Sequence, residues 1–168
     1  DEFKKGYSVI CDFGSDVTEV LVYKEGFLKN VKIFKFGGND LTAVLVDSLG
    51  VSWELAEDIK VSNGVLGGAA NIDEKEEILV KKDHLYKPLK RKLVADILTS
   101  KARVFMEELK AFIEKEANMF EVNKVVVAGR STAQEGFLEL LESILGVNVE
   151  FAKISDKQIT PFLLKEPS

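Results

Sequence analysis

The chain has 168 residues, 46% of them hydrophobic, with 23 Lys and Arg against 28 Asp and Glu for a net charge of −5. That length is enough for one compact core, and the composition is globular rather than disordered. A weakly acidic balance argues against gripping a nucleic-acid backbone through bulk charge. No apolar run approaches the roughly 20 residues needed to span a bilayer. The charged start Asp1-Glu2-Phe3-Lys4-Lys5 is unlike a signal peptide, and a reducing cytoplasm is the expected setting. Cys11, the single cysteine, lies in an apolar run and reads as a buried structural thiol. His84, the single histidine, has no Cys or His beside it and reads as a surface residue rather than a ligand.

The run Tyr7 to Phe13 is apolar and β-rich, a buried strand. Gly14-Ser15-Asp16 is a turn, Thr18 to Tyr23 a second strand, and Lys24-Glu25-Gly26 a hairpin turn. Phe27 to Phe36 alternates, with Val31 and Ile33 on one side and Lys32, Phe34 and Phe36 on the other. These three strands make an antiparallel meander. Asn39 or Asp40 can cap a helix whose Leu41, Val44, Leu45 and Leu49 keep helical spacing up to Gly50. Ser52 caps a second helix through Ala56 and Ile59 to about Ser62, stopped by Asn63-Gly64. Residues 65 to 89 are the least regular, with a short strand at Glu77 to Lys81 and a boundary at Pro88. A long helix follows from about Leu89 to Asn118, its apolar face running from Val94 to Ile113. Then come a strand at Lys124 to Ala128, a turn at Gly129-Arg130-Ser131, a helix from Glu135 to Leu145 and a last strand from Val147 to Phe151. Antiparallel strands followed by strand-helix-strand units predict an α/β domain, a mixed sheet with helices packed on it. No linker, internal repeat or low-complexity tract divides it, so 1–168 is expected to be a single domain.

Three segments carry possible chemistry. Asp12, Gly14-Ser15-Asp16 and Thr18 place a carboxylate and a tight loop between two strands, which suits a nest of N–H groups for phosphate with Asp12 holding Mg²⁺ through water; the same residues suit an ordinary hairpin turn. Glu57 and Lys60 share a helix face at i, i+3, fit either for the hydroxyls of a ribose or for a solvated ion pair. Gly129 ends a strand before a helix, which permits close approach of a ligand to the backbone, and such turns are common. No Walker-type lysine loop or dinucleotide fingerprint is present.

The order of these segments is more specific than any one of them. Asp12-x-Gly14, the meander, Phe36-Gly37-Gly38-x-x-Leu41-Thr42, Ala56-Glu57-x-Ile59-Lys60, then Val127-x-Gly129 and a helix starting near Gly136 resemble the second lobe of the actin and heat-shock-chaperone ATPase superfamily. Within it, Ala56 to Gly64, the irregular stretch before the long helix and the charged start are most similar to the bacterial cell-division FtsA family. The resemblance covers nearly the whole chain. It implies a ribonuclease-H-like actin lobe, one of two that hold ATP and Mg²⁺ between them. Gly14, Ser15, Asp16 and Thr18 would face the phosphates, Asp12 the magnesium shell, Gly37-Gly38 the cleft floor, Glu57 and Lys60 the ribose, and Gly129, Arg130 and Ser131 the adenosine. This lobe alone is not expected to turn ATP over, and the intact protein is expected to be at most a weak ATPase. The resemblance further implies filaments, a site for the C-terminal tail of the tubulin-like FtsZ at Lys101 and Arg103 with Lys90, Arg91 and Lys92 upstream, and attachment to the inner face of the membrane through a segment outside this sequence. The chain is therefore expected to be a fragment.

Two departures stand out. The family turn Asp-x-Gly-Gly-Gly-Thr-Thr-Asp is here Asp12-Phe13-Gly14-Ser15-Asp16-Val17-Thr18-Glu19, which puts a carboxylate where phosphates would lie. The adenosine loop, usually three glycines, is Gly129-Arg130-Ser131. Both favour the alternative of a nucleotide-independent actin-fold scaffold, of the PilM pilus-assembly type, that binds a partner peptide. A sugar kinase shares the superfamily core, and nothing in this sequence suggests a sugar site.

Overall fold

A computed structural model describes residues 6–68, 72–82 and 85–153; His84 lies outside them. The strands β1 (Tyr7–Phe13), β2 (Thr18–Lys24) and β3 (Phe27–Phe34) form the antiparallel meander. Two helices follow, α1 (Gly38–Leu49) and α2 (Trp53–Asn63), then a separate ribbon of β4 (Glu77–Lys82) and β5 (Leu85–Lys90). The long helix α3 (Arg91–Glu116), β6 (Val122–Ala128), α4 (Phe137–Leu145) and β7 (Val149–Phe151) complete the order. The main sheet has five strands in the order β3-β2-β1-β6-β7, with β6 parallel to both β1 and β7.

The side-chain period of two explains the sheet's burial. Val9, Cys11 and Phe13 of β1 and Val20 and Val22 of β2 lie inside, while Asp12 and Glu19 between them face out. On α3, Val94, Leu98, Ala102, Phe105, Leu109 and Ile113 recur at intervals of three and four and are all buried, the stripe that a sheet-covering helix needs. Aromatic rings close the core under the strand ends. Phe13 meets Phe105 and Phe137 edge-on, at 6.2 and 4.8 Å between centroids, and Phe36 stacks on Phe105 at 4.1 Å. Cys11 is fully buried, and burial pushes its thiol up to about 12, which makes it a small apolar core residue and not a nucleophile.

The architecture follows the sequence expectation, and the differences have local causes. Pro88 is no helix boundary: it sits inside β5, opposite Leu79. A two-stranded ribbon has only edge strands, where a missing N–H is tolerated. The long helix consequently begins at Arg91. Helix α1 begins at Gly38 with Gly37 as its cap, and Asp40 reaches back so that its carboxylate accepts from the Gly37 N–H at 2.9 Å. For α2 the Ser52 cap forms as read, its hydroxyl oxygen accepting from the Leu55 N–H at 3.3 Å.

Candidate functional site

Strands β1 and β6 run parallel and adjacent, so the loops that follow them emerge together at one end of the sheet. The loop after β1 is drawn onto the start of α1: Gly38 and Asn39 N–H groups donate to the carbonyls of Gly14 and Ser15 at 3.0 and 2.8 Å. The Thr18 hydroxyl donates to the Phe36 carbonyl at 2.8 Å, fixing the other side of the turn. The loop after β6 joins the same point, where the Ser131 hydroxyl donates to the Gly14 carbonyl at 2.9 Å across 117 residues of sequence. A Cβ at Gly129 would lie 2.7 Å from Asp12 Oδ1, and one at Gly38 would lie 2.8 Å from Ser131 Oγ and 3.7 Å from Lys60 Nζ. Asp12, Gly14, Ser131, Gly38 and Lys60 therefore surround one hollow, and glycine is required at 38 and 129 because neighbouring atoms already occupy the space.

Lys60 departs from the solvated-pair reading. It is neither a solvated partner of Glu57 nor a free cation. It is 8% exposed, and its ammonium donates to the Gly38 carbonyl at 3.0 Å, the Thr42 hydroxyl at 2.8 Å and the Glu57 carboxylate at 2.7 Å. Those three bonds use all the donors that a lysine has. Thr42 also contacts the same Glu57 oxygen at 2.5 Å. Glu57 remains about 40% exposed. Burial raises its pKa, but the hydrogen bonds from Lys60 and Thr42 and the Lys60 charge outweigh that, and the carboxyl is held below its ordinary value. Glu57 is thus the ionised, accessible member of the pair, and Lys60 is the peg that fastens α2 to the Gly37-Gly38 floor.

Sequence reasoning missed Gln134, and it quoted Thr42 in a motif without giving it a role. The Gln134 amide donates to the carbonyls of Lys60 and Gly64 at 3.2 and 2.5 Å, tying the loop after β6 to the end of α2. Gln134 carries no pattern that would single it out in one sequence. The register also places Glu19 directly opposite Asp12, so two exposed carboxylates neighbour each other there.

Chemically, the hollow offers N–H donors and carboxylates. Among the described residues no hydrogen bond takes up the backbone N–H of Ser15 or Asp16, and adjacent unpaired N–H groups suit anionic oxygens. The Asp16 carboxylate beside them is held by the Asn39 side-chain amide at 2.8 Å. Arg130 is exposed at the rim. Lys101 and Arg103 do not form a common patch: residues two apart on a helix diverge by about 200°, with Lys101 lying over the Phe36 ring at 6.0 Å and Arg103 exposed. Arg91 and Lys92 are engaged, Arg91 with Glu76 and the Asn63 carbonyl and Lys92 with Glu74.

The sheet order, the loops meeting at the ends of β1 and β6 and the helix order are those of an actin-like fold. Spiroplasma citri MreB 5 bound to AMPPNP superposes with a TM-score of 0.70 over 97% of this chain and 56% of its own, at 14% identity. A PilM-PilN type IV pilus biogenesis complex superposes at 0.66 over 96% of this chain and 43% of its own, at 15% identity. At those identities the likeness shows the fold alone. The model of the cell division protein FtsA matches residues 9–166, and the chain belongs to the FtsA family of actin-like cell-division proteins. It is 26% identical to FtsA of Neisseria meningitidis serogroup B over 96% of its length, and 29% identical to FtsA of Agrobacterium fabrum over all of it. It spans about two-fifths of the length of these relatives, 41% and 39%.

Proposed function

We propose that this chain supplies one wall of an ATP cleft in an FtsA-type protein that tethers FtsZ to the membrane and assembles into filaments. The observation that carries the nucleotide reading is the meeting of four separate segments, at Asp12 to Thr18, Gly37-Gly38, Glu57-Lys60 and Gly129 to Ser131, around one hollow. In this reading the free N–H groups of Ser15 and Asp16 bind phosphate oxygens, Asp12 holds the hydrated Mg²⁺, and Glu57 accepts from the ribose while Lys60 positions the floor. Magnesium would neutralise the phosphates against the nearby carboxylates. Asp12, Asp16 and Glu57 stand around the hollow, and Lys60 is already bonded, so nucleotide binding should require the metal. Calorimetry of the intact protein tests this: heat with Mg-ATP and none with ATP in EDTA is expected, and no heat at millimolar Mg-ATP would remove the reading.

The tether reading places an acidic FtsZ tail on the exposed side of α3 at Arg103, with Lys101 contributing less because it faces Phe36. Arg103→Glu should weaken tail binding more than Lys101→Glu, with strong salt dependence; equal affinity of the double variant and the parent would refute the site. Membrane attachment belongs, in this reading, to a segment outside the sequence.

A second reading, a scaffold that works without nucleotide, rests on Asp16 and Ser131. The Asp16 carboxylate stands at the mouth of the N–H pair, and the Ser131 side chain fills the space above Gly38. Under this reading Asp16→Gly with Ser131→Gly gains Mg-ATP binding that the parent lacks.

A further inference from the structure

Strand β3 is the edge of the sheet, with one side paired to β2 and no strand on the other among the described residues. Its Val31 N–H is bonded to the side-chain oxygen of its own neighbour Asn30 at 2.8 Å, so it points away from β2 and out of the sheet. Val31 and Ile33 are 49% and 58% exposed on one face of the strand. On the other face a groove of about 460 Å³ separates β3 from the last turns of α3, lined by Lys32, Glu108, Ala111, Phe112 and Lys115 among others. Lys32 lies across its floor, 4.3 Å from the Phe34 ring and 5.1 Å from the Phe112 ring.

A free strand edge running beside an apolar-floored groove is the geometry of strand addition, in which main-chain bonds hold an extended peptide and alternate side chains fill the groove. Charge selects the occupant. Lys29, Lys32, Lys35 and Lys115 border the edge, against Glu108 and Glu116, and Glu116 is already held by Lys29. This is a positive strip on a chain of net charge −5. A second copy pairing β3 to β3 would set lysines against lysines, which is how edge strands resist self-pairing.

We infer that β3 and the α3 groove form a docking site for an extended segment of a partner protein in which apolar residues alternate with carboxylates. The segment adds as a sixth strand beside β3. Because its side chains alternate, its carboxylates face the groove and meet Lys32 and Lys115, and its apolar side chains lie on the other face beside Val31 and Ile33. The Asn30 side chain is displaced from the Val31 N–H as the strand enters. This surface is separate from the cleft, and the inference stands whether or not nucleotide binds.

The test is fluorescence anisotropy on the intact protein without nucleotide, using a labelled synthetic peptide of about eight residues alternating valine and glutamate, a length suited to one strand. Controls are the same peptide with lysine for glutamate, and the acidic peptide N-methylated at every second residue. Val31→Pro removes the outward N–H at an edge position that tolerates proline, and Lys32→Glu reverses the charge; melting curves establish that both variants fold. The acidic peptide is expected to bind in a salt-sensitive manner, with each variant and the N-methylated peptide at least about tenfold weaker. Absence of binding at millimolar peptide, equal binding of the lysine peptide, or affinity unchanged in both variants would overturn the inference. A wild-type dimer that Val31→Pro dissolves would also overturn it, assigning the edge to a second copy.

Discussion

The loops around the hollow and the β4–β5 ribbon are both short, yet they are held in opposite ways. In the hollow, single hydrogen bonds join residues far apart in sequence: Ser131 to Gly14, Lys60 to Gly38, Gln134 to Lys60. Clearances there are so tight that a Cβ has no room at Gly129. In the ribbon, neighbours pair with neighbours along an antiparallel register from Glu77–Lys90 to Lys82–Leu85. Exposed ion pairs, Arg91–Glu76 and Lys92–Glu74 at 2.9 Å, fasten its base. The hollow should therefore be intolerant of single changes and open only with the whole fold, whereas the ribbon should absorb substitutions and open by itself.

The largest effect is expected at Gly129. Its φ is +95°, a region that side chains with a Cβ avoid, and the added carbon would also press on Asp12 Oδ1 and on the Phe13 carbonyl. Gly129→Val combines backbone strain with collision and should cost about 3 kcal/mol or more, read as a fall in the urea midpoint at unchanged slope. A loss below about 1 kcal/mol would mean that the loop relaxes freely and that the hollow is no tighter than the ribbon.

Next in size is Lys60→Met. It removes one of the donors to the Gly38 carbonyl, which keeps the Thr42 hydroxyl at 3.2 Å, and leaves Glu57 without its cation in a partly buried site, a loss of about 2 kcal/mol. The same substitution has a signature in pH. The Glu57 carboxyl is held low by Lys60 and Thr42 against the opposing effect of burial. A carboxyl with a depressed folded-state pKa stabilises fully above its unfolded value and loses that contribution as pH falls through the folded one. Wild-type stability should therefore drop in the acid range below the ordinary glutamate value, and Lys60→Met should show a shallower drop there. Parallel pH profiles for the two proteins would show that the pair is not coupled to folding.

How much of this was legible beforehand depended on the range of each interaction. The meander was readable because the apolar β-rich run Tyr7 to Phe13 and the alternation in Phe27 to Phe36 are local signals, and α3 because its apolar stripe recurs from Val94 to Ile113. The four segments around the hollow were named through the order of motifs, and the structure brings them together. Lys60's bonds were not readable, since Gly38 and Thr42 lie 22 and 18 residues away with no periodic relation to it. Gln134 acts over 70 and 74 residues. Strand β5 was missed for a different reason: Pro88 reads as a breaker, and only the pairing partner Leu79 shows that its missing N–H costs nothing there. The divergence of Lys101 and Arg103 follows from helix geometry alone, since residues two apart point about 200° from each other.

The smallest effect, and the sharpest test of the contrast, belongs to the ribbon's outer face. Leu79 and Tyr86 are 70% and 67% exposed, while Ile78, Val80 and Leu89 on the opposite face pack against the core. Leu79→Thr and Tyr86→Thr keep strand-compatible side chains and remove little buried area, so each should change stability by no more than about 0.5 kcal/mol. Native-state hydrogen exchange supplies the positive half of the test. The ribbon amides should exchange through an opening well below the global free energy, and those of β1 and β6 beneath the hollow through global unfolding. If the ribbon instead exchanged with β1 and β6, and Leu79→Thr lowered the midpoint as Lys60→Met does, the ribbon would be part of the same cooperative unit. Its inner face, through Ile78, Val80 and Leu89, would then couple the ribbon to the core tightly enough that the two open together.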